Sequence, residues 1–374
     1  MINKVKKKWY EVLDKDKIST PGLLISEKKI KSNIKSMIDI SGDPNRLWPH
    51  IKTHKMPGII DIQIKYGIKK FKCATIGELE MLSKFNIREI LLSNQLIFEK
   101  LEKFIEIQKK YPKIRMSTLV DNSMSLKNYS EIAEKYKTKI NLWIDINNGM
   151  NRTGIKINKE IYYLFNEIYK DPNLNVIGLH VYDGHIRNKS KKERKKNSDK
   201  AFKPILSFQK KIESEYNIPI LILAGGSPTF LAHSKRKGIF LSPGTTLLWD
   251  VGYSNLWPDS PFKIAAVLVS RIISKPNKNL LCLDLGHKSV ASEMPLPRVI
   301  IKGLENSKHI SQSEEHLVIK SENSNKYNVG DLLFSVPYHI CPTVVKYNKV
   351  QVIEKNNIIK LWEVCARDYL LNEI

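Results

Sequence analysis

Three titratable residues alternate along one short run. In WPHIKTHK (48–55), His50, Lys52 and His54 occupy every second position, so an extended chain would turn all three to one side. A lysine facing the inside of a fold is costly unless it is paired, neutral or covalently used. Burial lowers the pKa of an amine and suits it to attack on carbonyl groups, the chemistry of Schiff bases. The plain alternative is a surface lysine at the end of a strand, and chemistry alone does not separate the two. Two glycine turns come much later, Ala224-Gly225-Gly226-Ser227 and Pro243-Gly244-Thr245-Thr246. Such turns can present backbone N–H groups to a phosphate. An amine opposite a phosphate cradle suggests pyridoxal phosphate. A third constellation is Tyr338-His339-Ile340-Cys341-Pro342-Thr343. On a strand, His339 and Cys341 would face the same way and could hold a divalent metal, with water and substrate completing its sphere. Structural zinc sites have four ligands, so the bare pattern reads more readily as a buried cysteine beside an ordinary histidine. Asp284, His287 and Lys288, with Glu314, Glu315 and His316, could line the same cleft or be polar turn residues.

These groups need a frame to hold them. From about residue 20 to residue 245, short apolar runs alternate with longer amphipathic stretches. The runs are WPHIKT (48–53), FKCAT (71–75), EILLSN (89–94), RMSTLVD (115–121), INLWIDINN (140–148), VIGLHVYDG (176–184), ILILAGGS (220–227) and IFLSPG (239–244). Between them Ile76, Leu79, Leu82 and Phe85 recur at helical spacing, as do Leu126, Tyr129 and Ile132. Eight strands alternating with helices predict an α/β chain folded as a (β/α)8 TIM barrel. An open doubly wound sheet would carry a glycine-rich phosphate turn after its first strand, where this chain has KTHK. Barrel chemistry gathers at the C-terminal ends of the strands, and phosphate often binds after strands seven and eight, the place of the two glycine turns.

Beyond about Ser260, strand-like pieces from KIAAVLVSRII to IIKLWEV, VVKYN (344–348) among them, follow one another with little helix. They predict a mostly antiparallel β domain. The expected division is a barrel over residues 20–258 and a β domain over 259–374, with residues 1–19 packed on the latter.

Composition narrows the function classes. The chain has 374 residues, 42% of them hydrophobic, enough for a large domain plus a smaller one and too apolar for disorder. Its net charge of +24 comes from 62 basic residues against 38 acidic ones, and lysine dominates the excess. Scattered lysines are screened beyond roughly 8 Å at physiological salt. No basic stripe is interleaved with aromatics, so a nucleic-acid partner is not expected. The one dense cluster, Lys189–Lys196 (KSKKERKK), reads as a solvated loop and helix start, with a partner contact as the alternative. Cys73, Cys282, Cys341 and Cys365 lie far apart without a CxxC pair, which fits a reducing compartment. The charged first residues and the absence of a run of ~20 apolar residues predict a cytoplasmic chain without membrane contact.

The assembled motifs resemble the D-threonine aldolase family, a branch of the alanine racemase-like pyridoxal phosphate enzymes. The resemblance runs through TPGLLIS (20–26), WPHIKTHK (48–55), KFKCATIGELEML (70–82), NNGMNRTGI (147–155), GLHVYDGHI (178–186), AGGSPTF (224–230), SPGTTLLWDVGY (242–253), LCLDLGHKSVASEMPLPRV (281–299), SEEHLVI (313–319) and HICPTV (339–344). It implies a barrel of the alanine racemase N-terminal type and a homodimer. It implies Lys52 as the lysine that holds the cofactor aldehyde, and Arg152 beside the cofactor's phenolic oxygen and the substrate. Tyr182 would stack on the pyridine ring. Gly225, Gly226, Ser227, Gly244 and Thr245 would bind the phosphate, and His339 and Cys341 the metal, zinc or manganese or else magnesium. Members resembling D-threonine aldolase carry His-x-Asp at that metal position, and the related D-serine dehydratases carry His-x-Cys. A thiolate favours zinc.

The implied substrate is a D-amino acid with a β-hydroxyl. An unassisted alcohol has a pKa near ~16 and a histidine base one near ~6.5, a gap of about nine units or roughly 12–13 kcal/mol. Zinc brings bound water to ~7, so coordination of the hydroxyl would remove most of that cost. His50, His185 or His316 could accept the proton. D-threonine would give glycine and acetaldehyde. In the dehydratase alternative, D-serine would give pyruvate and ammonia. A further alternative is a carrier of pyridoxal phosphate without catalysis.

Overall fold

The structure, a computed structural model, describes residues 8–369. Its strands, in chain order, are β1 (Gly22–Ile25), β2 (Lys70–Cys73), β3 (Glu89–Gln95), β4 (Arg115–Val120), β5 (Ile140–Asp145), β6 (Leu174–Val181), β7 (Leu221–Ala224), β8 (Ile239–Leu241), β9 (Ala266–Ser274), β10 (Leu280–Leu283), β11 (Val299–Ile301), β12 (Lys308–Gln312), β13 (Leu317–Lys320), β14 (Leu332–Pro337), β15 (Lys349–Glu354) and β16 (Asn357–Glu363). By its contacts the chain forms two units, each assembled from separate stretches.

The barrel unit contains residues 37–52 and 60–244. In it β2 to β8 form one parallel sheet in sequential order, with a helix after each of β2 to β7. The expected first strand is not a full strand. Leu47 bridges Leu241 of β8, and His50 bridges Lys72 of β2, so this segment joins the two edges of the sheet. The N–H of Trp48 donates to Leu241 O (2.8 Å), that of His50 to Pro243 O (2.9 Å) and that of Lys72 to Pro49 O (3.0 Å). Pro49 has no N–H to extend the ladder, and the chain turns at once into a 3-10 helix, Ile51–Thr53. The eightfold barrel is therefore seven strands closed by one bridged segment.

Inside the barrel, Trp48, Leu91, Leu119, Trp143, Ile177 and Leu223 pack as one cluster. The indoles of Trp48 and Trp143 meet edge to face at 5.7 Å, and Trp143 Nε1 donates to Ser117 Oγ (3.1 Å). Such a layer fills the barrel as a core and leaves the chemistry to its rim. Outside, the helix Ile76–Ser83 buries Ile76, Leu79 and Leu82 as expected but ends before Phe85. The hydroxyl of Thr75 accepts from Glu78 N–H, and the Glu78 carboxylate accepts from Ala74 N–H, so side chains satisfy N–H groups at the helix start. The basic run at Lys189–Lys196 opens the long helix Lys191–Tyr216 behind a Ser190 cap, with its lysines exposed.

Of the described residues, the second unit contains 8–36, 53–59 and 245–365. The contacts thus differ from a contiguous division at residue 258. The reason is pairing: β1 lies between β9, antiparallel to it, and β15, parallel to it. The sheet runs β12-β13-β10-β9-β1-β15-β16, with β14 on β9 and β11 on β14. Tyr10, Val12 and Ile18 share its core with Leu24, Val267, Val269, Val336 and Ile353. Residues 1–7 of the expected packing lie outside the described residues. The expected strand VVKYN is instead the end of a short helix, Ile340–Val344, and the turn after it. Val344 and Tyr347 are buried there, and the Tyr347 hydroxyl donates to Ser289 O at 2.7 Å. Among the described residues no helix is long and apolar enough to cross a membrane.

Candidate active site

The open end of the barrel unit holds a cavity of about 320 Å3, within the range of small-ligand sites. His50, Lys52, Lys72, Asp145, Arg152, His180 and Tyr182 line it, with Leu119 of the core cluster. The Tyr182 ring is the common face. Lys52 Nζ lies 5.9 Å from its centroid, Lys72 Nζ 5.7 Å and the Arg152 guanidinium carbon 5.1 Å. Cations over an aromatic face are attracted by its quadrupole. Lys52 and Arg152 are exposed, whereas Lys72 is 2% exposed. His50 is buried. Its Nδ1 accepts from Lys52 N–H (3.4 Å), and its Nε2 meets Ser93 Oγ (3.3 Å).

A buried polar chain runs along the cavity wall. Lys72 Nζ lies 3.1 Å from His180 Nε2, and His180 Nδ1 lies 2.7 Å from Asp145 Oδ1. Asp145 Oδ2 accepts from Gln95 Nε2 (2.9 Å) and Thr153 Oγ1 (2.8 Å). Burial pushes the Lys72 amine down to about 7, and the charge of Lys52 adds to this. Burial also lowers His180, helped by Lys72. Burial would raise Asp145, but its hydrogen bond from His180 outweighs that and holds it below the ordinary carboxylate value. The sequence reading passed over Lys72, His180 and Asp145. A charged residue inside each of the runs FKCAT, INLWID and GLHVY was the available signal.

The two glycine turns meet. The N–H of Gly244 donates to Ser227 Oγ at 3.3 Å. Behind them, Asp183 accepts from Thr229 Oγ1 (2.5 Å) and pairs with His233 Nε2 (2.7 Å), while Arg236 donates to His233 Nδ1 (2.6 Å). Gly225 adopts φ +76°, a backbone that glycine allows without strain. A Cβ on Gly226 would lie 2.9 Å from Tyr182 Cε2, so the turn rests directly on that ring. Gly226→Ala should therefore push the ring or the turn aside. For the pyridoxal phosphate expected from the sequence, this predicts about tenfold weaker binding, corresponding to roughly 1.4 kcal/mol, measured by titration with pyridoxal phosphate. Unchanged affinity would separate the turn from the cofactor. Thr245 belongs to the second unit, where its hydroxyl lies 3.4 Å from Cys341 Sγ.

His339 and Cys341 also belong to the second unit. They do not alternate on a strand. His339 caps the N-terminus of the helix Ile340–Val344, and Cys341 lies in its first turn. Each acts on the other electrostatically all the same. Burial opposes charge on His339, but Cys341 and Glu293 overcome it and push the ring up to about 9. Burial would raise the Cys341 thiol, yet His339 draws it below its usual value. His339 Nδ1 lies 2.6 Å from Glu293 Oε1. A carboxylate on one ring nitrogen is the usual support of a metal-binding imidazole, so Nε2 and the thiolate could take a divalent cation. Among the described residues no group of three or more His, Cys, Asp or Glu side chains gathers to hold one. Water and substrate would have to complete the sphere. Glu314 and Glu315 instead pair with Lys288 at the surface, and Asp284 accepts from Arg271 N–H, as polar turn residues do. His185 and His316 are both exposed.

Residues 25–249 match the family described as alanine racemase, N-terminal domain. The chain belongs to the alanine racemase N-terminal domain family. Residues 265–353, which include His339 and Cys341, match a putative serine dehydratase domain. This alanine racemase-like chain is 23% identical to a D-threonine aldolase of Arthrobacter sp over 360 residues, 94% of each chain. It is 23% identical over 368 residues to a 3-hydroxy-D-aspartate aldolase of Paracoccus denitrificans (strain Pd 1222), covering 95% of this chain and 94% of that one. Its fold matches the crystal structure of D-threonine aldolase from Filomicrobium marinum with a TM-score of 0.86 at 23% identity, over 94% of this chain and 96% of that one. The alanine racemase-like fold, a parallel barrel unit with a mostly antiparallel sheet unit, is thereby shown.

Proposed function

We propose that this chain is a pyridoxal phosphate-dependent, divalent-metal-dependent lyase for β-hydroxy D-amino acids, and that it cleaves D-threonine to glycine and acetaldehyde. The observation that carries the reading is the Tyr182 face, with Lys52 and Arg152 over it and the Gly226 turn against its edge. A flat ring bearing an aldehyde and a phosphate needs such an amine, such a face and such a turn, so the residues fit the group. When bound, pyridoxal phosphate supplies the electron sink for charge left at Cα. Lys52 supplies the amine for its aldehyde. Arg152 offers a fixed cation to the substrate carboxylate or the ring oxygen. Tyr182 would offer the ring a flat face on the barrel, and Gly225, Gly226, Ser227 and Gly244 would hold the phosphate end. His339 and Cys341 would hold the metal, whose role is to lower the pKa of the hydroxyl.

The product assay tests the reading. Glycine and acetaldehyde from D-threonine support it, and an α-keto acid with ammonia sinks it. One observation favours the second reading, a dehydratase: the domain match over residues 265–353 encloses the His339–Cys341 pair. D-serine and 3-hydroxy-D-aspartate belong in the same assay, since relatives named for both kinds of reaction share this fold. Exhaustive chelation should cut turnover by about 10²-fold or more while the visible absorbance of bound cofactor remains. Full activity in a chelated sample would remove His339 and Cys341 from the metal role. A homodimer is the proposed assembly, and light scattering at twice the chain mass checks it.

A further inference from the structure

Lys72 is a cavity amine that this reaction scheme leaves without a task. It projects from β2 at 2% exposure and hydrogen-bonds His180 Nε2 at 3.1 Å. The polarity of that contact is fixed from the far end. Gln95 and Thr153 both donate to Asp145, so the carboxylate is an acceptor, and His180 gives it the Nδ1 hydrogen. Nε2 is then left to accept from Lys72. An amine that gives one N–H to His180 keeps its lone pair for the cavity. The same order of groups, with carboxylate orienting imidazole and imidazole facing the reactive atom, activates nucleophiles and bases elsewhere.

We infer that Lys72 is a second working amine of the site: a general base, oriented by His180 and Asp145, that takes a proton from the substrate's ammonium group as the substrate enters. This rests on the reading of the cavity as an amino-acid site. The bookkeeping is simple. One N–H bond of the substrate ammonium breaks, its electron pair stays on the substrate nitrogen, and a new N–H bond forms at Lys72 Nζ. The proton goes back to the amine of the departing product, so nothing is oxidised or reduced. Lys52 is committed to the cofactor, and both ring nitrogens of His180 and His50 already have partners. The charged groups facing Lys72 come from several elements. Burial acts first, then Lys52 and Arg152 disfavour the ammonium form, while Asp145 and Asp183 favour it. The balance leaves the amine largely neutral just above neutrality, where an amino acid still arrives as its ammonium form.

The test begins with the apoprotein carrying 13C at the lysine ε-carbons. One resonance should titrate near pH 7 and vanish in Lys72→Met. A Lys72 resonance that titrates in the ordinary lysine range overturns the inference. In the holoenzyme, kcat/KM should rise with pH through about 7 to a plateau. Lys72→Met should lower that plateau by about 10²-fold and abolish the acid limb, with the bound-cofactor absorbance retained. His180→Gln keeps an acceptor for the amine but cannot take its proton, so the limb should move and not disappear. An acid limb unchanged in both variants overturns the inference. If Lys72→Met fails to fold, the wild-type resonance, assigned through its shift in His180→Gln, decides alone. A wild-type protein that binds no cofactor would defeat the lyase reading and leave the apoprotein titration standing on its own.

Discussion

Lys52→Ala should abolish the visible absorbance of bound pyridoxal phosphate and lower turnover by a factor on the order of 10³ or more, the scale of losing a reacting group. The cavity makes this a sharp test because it holds two amines at nearly equal distance from one ring. Lys52 Nζ is 5.9 Å from the Tyr182 centroid and Lys72 Nζ is 5.7 Å. Lys72 is buried and engaged with His180, whereas Lys52 stands on a 3-10 turn and is exposed. An amine that must let go of one carbonyl and take it back needs freedom of that kind. If absorbance survives in Lys52→Ala and is lost in Lys72→Met, the two roles are exchanged. Lys55 serves as the control. Its φ is +52° and its carbonyl accepts from Cys365 N–H, so Lys55→Asn, which tolerates that backbone, should keep the absorbance.

Trp143→Ala should destabilise the protein by about 3–5 kcal/mol, the range for deleting a buried aromatic ring. Trp143 is fully buried in the layer that fills the barrel and meets Trp48 edge to face. Its removal strips Trp48 of that contact and Ser117 Oγ of its indole donor. The midpoint of urea unfolding, followed on the apoprotein, measures the loss. A change under about 1 kcal/mol would mean that the layer can collapse around the gap. Because Trp48 lies four residues before Lys52, the variant should also loosen cofactor binding more than a surface substitution would.

Much of the barrel was legible because the strands sit in apolar runs that soon give way to glycine or polar residues. The strands in the runs beginning at Phe71, Ile140 and Ile220 all start within one residue of those positions. The run at Trp48 was legible as a site but not as a bridge, although Pro49 carried the reason in its missing N–H. The position of β1 was not legible. Its partner β9 lies some 240 residues away, and no local pattern records such a pairing. VVKYN misled because β-branched residues suggest a strand, while burial of Val344 and Tyr347 around a short helix decided otherwise. The relay was hidden for a related reason. His180 stands 35 positions from Asp145 and 108 from Lys72, so only the closed sheet brings them together.

A closed sheet has no free edge, but this one has a seam. Leu47 to His50 stitch β8 to β2 through isolated bridges rather than a continuous ladder, and the stitch ends two residues before Lys52. The stave that bears the proposed reactive amine is therefore the one least tied to its neighbours. In hydrogen exchange, the amides of Trp48 and His50 should open ahead of those in β4 and β5. Mechanically, the barrel holds the face, the turn and the buried polar chain in rigid parts, and leaves the amine proposed to swing on the part that gives.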